Sequence, residues 1–219
     1  MDLVQKDIRY INWENLSRNS NGISLLEANQ DKINWFELSG NSNAIPLLEA
    51  NMDKICWSML SFNINAIHLI QANMDKIDWY ALSGNPNAIP LIEANMDKVL
   101  WDPLSINPNA IHLLEANQDK INWIMISGNP NAIHLLETNQ DKFNPKWLTL
   151  NPRIASIIEK DAIPIDINLF GWTDWKNFCR HPESIPFLHA HQERINWHGF
   201  SENPGIFELN REEMRKSVM

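Results

Sequence analysis

Tryptophan recurs at a fixed interval: Trp13, Trp35, Trp57, Trp79, Trp101 and Trp123 stand 22 residues apart without a slip. A strict period of this length commits a chain to a tandem-repeat fold, in which each short unit buries its apolar face only against its neighbours. With the Ile of Ile-Asn-Trp taken as slot 1, six regular repeats run 11–32, 33–54, 55–76, 77–98, 99–120 and 121–142. A seventh, 143–164, keeps Asn151-Pro152 but carries Pro145 in the Trp slot. Residues 165–172, IDINLFGW, fit no slot and read as an insertion. The register resumes at Thr173 with Trp175 and again at Ile195 with Trp197, so nine repeats cover 198 of the 219 residues. Residues 1–10 read as a capping half-repeat. Residues 173–216 read as repeats eight and nine with a C-terminal cap, in which Asn210 takes an inward Leu slot and Arg211, Glu212 and Glu213 follow. The expectation is one solenoid domain ending on wettable faces.

The consensus is I-N-W-x-x-L-S-x-N-P-N-A-I-x-L-L-E-A-N-x-D-K. With stretches such as NPNAIHLLEANQDKINW (107–123), it closely resembles the 22-residue repeats of many proteins of large DNA viruses that infect amoebae, the mimivirus-like and marseillevirus-like groups. The resemblance covers nearly the whole chain. It implies a viral origin and an interaction or scaffold role, and it brings no activity and no catalytic residue with it.

Within a repeat, Ala at slot 12, Ile at slot 13 and Leu at slots 15 and 16 form an apolar stripe at helical spacing. Pro46, Pro90 and Pro186 at slot 14 place that position in a first turn, where the missing N–H has no partner to lose. Asn21, Asn43, Asn65, Asn87, Asn109 and Asn131 at slot 11 then read as N-caps. The Asn of slot 19 reads as a left-handed helix stop. A shorter first helix holds the Trp and Leu of slots 3 and 6, capped by the Asp of slot 21 or the Asn of slot 2, with Gly40, Gly84 and Gly128 at its exit. The expected fold is therefore all-α, an α-solenoid of nine two-helix repeats. The runner-up is a leucine-rich-repeat-like horseshoe, which fits Ile33-x-x-Phe36-x-Leu38-x-x-Asn41 but fails where Glu14, Ser58 and Asp102 take the Phe36 slot.

Composition narrows the function. Eighteen Lys and Arg against 27 Asp and Glu give a net charge of −9, which disfavours nucleic-acid phosphates and anionic lipid as partners. Two cysteines, Cys56 and Cys179, make no disulfide framework and suit a reducing compartment. The start, MDLVQKDIRY, has no apolar run resembling a signal peptide, and no run is long enough to span a membrane. The expectation is an intracellular protein of host cytoplasm or virion, neither secreted nor transmembrane.

Two accounts stand beside each recurrent residue. The Trp ladder reads first as a buried core spine and second as an aromatic ligand surface. The Asn slots cap helix ends and bridge repeats, or bind a polar ligand. Variation concentrates at slots 4 and 8, where large apolar residues alternate with Gly or polar ones: Phe36/Gly40, Tyr80/Gly84 and Ile124/Gly128 against Ser58/Phe62, Asp102/Ile106 and Lys146/Leu150. Volume compensation in the core is one reading. The other is a staggered apolar strip of Phe62, Ile106 and Leu150, extended by Met59, Met125 and Trp147, that grips a partner. His68, His112 and His134 at slot 14 are expected on the surface and join this candidate partner surface. In repeat eight, Cys179, His181, His189 and His191 form a loose zinc set without standard spacing. The competing account gives His181 and His191 the hydrogen-bonding duties of the Asn residues they replace. No triad, phosphate loop or paired-carboxylate site occurs, so neither a catalytic residue nor a cofactor is expected. The chain reads as a non-enzymatic scaffold for an unidentified viral or host protein. The alternative is a self-assembling structural or virion component, with the oligomeric state open.

Overall fold

The structure is a computed structural model that describes residues 10–206. It divides into two compact units, Met1–Asn109 and Ala110–Met219. Each is built of short helix pairs repeating about every 22 residues, and no strand occurs among the described residues, which rejects the horseshoe.

The first unit contains α1 (Trp13–Arg18), α2 (Ile23–Glu27), α3 (Trp35–Ser39), α4 (Ile45–Glu49), α5 (Trp57–Phe62), α6 (Ile67–Gln71), α7 (Trp79–Gly84), α8 (Ile89–Glu93) and α9 (Trp101–Ile106). Each first helix packs on the first helix of the next repeat: α1 on α3, α3 on α5, α5 on α7 and α7 on α9. At five or six residues these helices are too short to persist alone, so stacking sustains them. Slot 2 is the cap of the first helix: Asn12, Asn34 and Asp78 accept from the N–H groups of Asn15, Glu37 and Ala81. The second helix starts at slot 13, two residues later than the Asn of slot 11, and its own cap residue makes no side-chain bond. Pro46 and Pro90 are the second helical residues, inside the first turn as their missing N–H requires. The Asn of slot 19 is not left-handed: Asn51 has φ −139° and ψ 50°. It closes the helix with its side chain instead, Asn51 and Asn95 donating to the carbonyls of Leu47 and Leu91.

The second unit contains α10 (Ile111–Ala116), α11 (Trp123–Ile126), α12 (Ile133–Thr138), α13 (Ile154–Glu159), α14 (Trp172–Cys179), α15 (Ile185–Ala190) and α16 (Trp197–Phe200). In repeat seven Pro145 converts the first helix to a 3₁₀ segment, Pro145–Leu150, which still packs on α14. The insertion lies inside this unit. It forms a 3₁₀ turn at Ile167–Leu169, buries Phe170 edge-on against Trp175 with centroids 5.5 Å apart, and leaves Leu169 and Trp172 exposed. Trp172 opens α14, which is lengthened to eight residues. Of the expected caps, residues 1–9 and Asn210, Arg211, Glu212 and Glu213 lie outside the described residues.

Three slots are the spine. Leu38, Leu60, Leu82 and Leu104 at slot 6, Ala44, Ala66 and Ala88 at slot 12, and Leu26, Leu48, Ile70 and Ile92 at slot 16 are fully buried in the first unit. Leu148, Leu114 and Leu136 are their counterparts in the second. Of the Trp-slot residues, Trp175 in repeat eight is buried, but those of the regular repeats are not part of the spine. Trp35, Trp57, Trp79 and Trp123 are half-buried, and the last Lys of their own repeat lies over each ring, at 4.7 Å for Lys54, 4.9 Å for Lys76, 5.3 Å for Lys98 and 4.8 Å for Lys142. The Trp opens its helix beside the charged turn that ends the repeat, so the indole packs at the rim, where a cation can lie on its face.

Candidate functional site

The polar residues of the frame are consumed by joining repeats. The Ser of slot 7 is buried and donates to the Trp carbonyl one turn back, as in Ser61 to Trp57 at 2.8 Å. The same hydroxyl accepts the slot-2 N–H of the next repeat, Asp78 to Ser61 at 3.0 Å. The Asn of slot 9 is the stronger link. Asn85 donates to the carbonyls of Ser61 and Asn63 in the preceding repeat and accepts from the N–H of Asn87. Asn41, Asn63 and Asn107 repeat this donor pair in the first unit, and Asn151 and Asn203 in the second. The slot-11 Asn, read from sequence as a cap, bridges backward instead: Asn87 donates to the Ile64 carbonyl. No buried side-chain polar atom among the described residues lacks a partner. The buried slot-9 amides spend both donors on the preceding repeat, so this ladder of Asn residues joins repeats.

Slots 4 and 8 behave otherwise. Phe36, Phe62, Tyr80 and Ile106 in the first unit are 52%, 52%, 49% and 42% exposed, which places them outside the core. Ile124, Met125, Trp147 and Leu150 are likewise exposed in the second, while Met59 is half-buried. Core compensation between slots 4 and 8 is therefore not what the structure shows. Compensation does exist at the rim, between slot 8 and slot 5 of the next repeat. A Cβ added to Gly40 would meet Met59 Cε at 3.2 Å, and one added to Gly84 would meet Pro103 at 3.6 Å. At the first such position two charges take over: Arg18 holds Glu37 by two hydrogen bonds, the longer at 2.7 Å. That guanidinium holds the Glu37 carboxyl below the usual carboxylate range. The sequence reading missed this pair, whose partners are 19 residues apart and meet only through stacking. Arg18, Phe36, Glu37, Gly40, Asn41 and Met59 line a notch of about 360 Å³.

His68, His112 and His134 are exposed, as expected, but lie on the second helices and do not join the first-helix row. His68 Nε2 meets Glu49 Oε1 at 2.9 Å and His134 meets Glu115 at 2.7 Å, each reaching the slot-17 Glu of the preceding repeat.

Repeat eight separates its four candidate zinc ligands. Cys179 is buried in the slot-7 Ser position, and its sulfur accepts the N–H of Asn196 at 3.3 Å, as the Ser hydroxyls do. Burial pushes its thiol pKa up. His181 Nε2 reaches the Thr149 carbonyl at 3.0 Å, a bond the slot-9 Asn makes elsewhere, and burial pushes its pKa down. His191 stacks on Phe187 with centroids 4.3 Å apart, and His189 is exposed. Among the described residues no three His, Cys, Asp or Glu side chains are grouped to hold a metal ion, and no helix is long and apolar enough to cross a membrane. An apolar depression of about 410 Å³, lined by residues that include Ile185, Leu188, Trp197 and Phe200, also lies in this unit. Comparison of the chain with models of known protein families, with curated proteins and with solved structures finds no match.

Proposed function

We propose that the chain is a non-enzymatic repeat scaffold that binds another protein along the exposed row of its first helices, and that it is encoded by a large DNA virus of amoebae. One observation carries the binding reading: large apolar side chains occupy the two variable slots in alternation and stand in water. Sporadic exposed apolar residues are ordinary, but a row recurring on successive repeats is a feature of interaction surfaces. The frame supports a non-catalytic reading, because its buried Ser and Asn side chains are taken up by bonds between repeats. The viral origin rests on the consensus, NPNAIHLLEANQDKINW above all. Host cytoplasm or virion is the corresponding location.

The test is a photo-crosslinking residue at Tyr80 in protein expressed during infection, with the same crosslinker in a Phe62→Ser/Ile106→Ser background as the control. A defined partner that crosslinks to the parent and is lost with the control supports the proposal. A solution mass that rises with concentration, with the chain itself as the sole crosslinked product, would replace it by the self-assembly reading.

A further inference from the structure

Resting on the reading of the first-helix row as a protein-binding surface, we infer that its occupant in the first unit is a positively charged segment presenting apolar side chains. The slot-4 row of that unit runs Glu14, Phe36, Ser58, Tyr80 and Asp102, all exposed, so two aromatic rings are flanked by a carboxylate at each end. The slot-8 row beside it runs Arg18, Gly40, Phe62, Gly84 and Ile106, and so adds two large apolar side chains. The notch of about 360 Å³ that Phe36, Gly40 and Met59 help to line lies along this row. The floor of that notch carries no unspent charge, since Arg18 already saturates Glu37.

The cations of the unit decide the sign of the partner. Residues 10–109 contain five basic residues against eleven acidic ones. All five are engaged within the unit. Arg18 is on Glu37, with Glu14 at 3.5 Å, and Lys32 is paired with Asp31. Lys54, Lys76 and Lys98 lie over Trp35, Trp57 and Trp79. An approaching acidic segment therefore meets a net negative field, set by eleven acidic residues against five basic ones. A basic one is steered in by that field and held by the apolar row.

The test uses the full chain and two labelled 14-residue amphipathic helical peptides, one of Leu and Lys and one of Leu and Glu, followed by fluorescence anisotropy at two salt concentrations. The Leu/Lys peptide should bind at least tenfold tighter than the Leu/Glu peptide. Phe36→Ser/Tyr80→Ser should weaken it tenfold or more, and Glu14→Gln/Asp102→Asn several-fold with a flatter salt dependence. Asp53→Asn/Asp75→Asn, in the turns between helices, should change it less than twofold. Melting curves check that each variant is folded, and Tyr80→Ser alone replaces the double variant should that one not fold. Equal binding of the two peptides overturns the inference, as does undiminished binding by the aromatic variant, which would show charge attraction without a site. A partner crosslinked at Tyr80 through a neutral or acidic segment also overturns it, while leaving the scaffold proposal standing.

Discussion

Asn85→Ala should be among the most damaging single changes in the first unit, although it removes only a small polar side chain. Asn85 is 2% exposed. Its amide donates to the carbonyls of Ser61 at 3.0 Å and Asn63 at 3.2 Å, and its carbonyl oxygen accepts from Asn87 at 3.0 Å. A net hydrogen bond contributes about 1 kcal/mol, and a buried carbonyl left without its donor costs about 1 kcal/mol more. Asn63 keeps a second bond to its carbonyl, from the N–H of Ala66, which spares part of that penalty. The sum is about 3–4 kcal/mol, or roughly a 10 °C fall in Tm for a chain of this length if it unfolds in one step. Asn87→Ala removes one exposed bond, to the Ile64 carbonyl at 2.9 Å, and should cost about 0.5–1 kcal/mol. Asn85→Asp preserves the shape but turns a carboxylate toward two carbonyl oxygens. It should be at least as costly as Ala at pH 7 and partly relieved in acid, where a protonated oxygen donates again. Urea unfolding followed by tryptophan fluorescence and by circular dichroism reads all three. If Asn85→Ala costs no more than Asn87→Ala, the slot-9 ladder is not what joins the repeats.

Trp79→Ala should cost about 2–4 kcal/mol, less than a fully buried indole, and Lys98→Ala no more than about 1 kcal/mol, both measured in the same unfolding assay. Burial holds His181 below its ordinary value of 6.5, so the unfolded chain takes up the proton first as pH falls. The stability of the neutral ring is therefore fully present above about pH 6.5 and is lost as pH falls through the lower folded value. His181→Asn should reduce the drop in Tm between pH 7.5 and pH 5, and an unchanged drop would argue against this assignment. Cys179→Ser restores the side chain found at this slot in other repeats and should shift stability by less than about 1 kcal/mol, whereas Cys179→Val removes the acceptor for the Asn196 N–H and should cost about 1–2 kcal/mol. In the folded parent a thiol reagent should label Cys56, which is half-buried, well before Cys179.

The candidate surface was legible in part. Alternation at slots 4 and 8 marked Phe62, Ile106 and Leu150, and the strip extended to Met59, Met125 and Trp147 at slot 5; all of these are exposed except Met59, which is half-buried. The companion account, compensation inside the core, failed because the side chains that exchange volume belong to slot 8 and to slot 5 of the next repeat. That register depends on how far one helix is displaced along its neighbour, which no single repeat encodes. His68, His112 and His134 share exposure with the row but not its helix. The Trp residues misled for a related reason. In the regular repeats they travel with Ile and Leu as a core residue does, yet they open their helices beside the charged turn, where a Lys stem and ammonium shield the ring, and only Trp175 in repeat eight is buried as a core residue.

By itself the sequence determined the period, the two-helix unit, the late start of the second helix forced by Pro46, Pro90 and Pro186, and the slot-2 residue as one of two candidate caps. These follow from local rules: side-chain spacing, the missing N–H of proline, and a short side chain that reaches a nearby N–H. Only the tertiary structure decided that the slot-9 Asn reaches back to two carbonyls of the preceding repeat, that the slot-11 Asn bridges rather than caps, that Cys179 and His181 stand in for Ser and Asn, and that Arg18 meets Glu37. Each of these joins groups 17 to 32 residues apart. Such a contact exists only once one repeat has stacked on the next, because the stacking fixes which buried carbonyl is left without a donor.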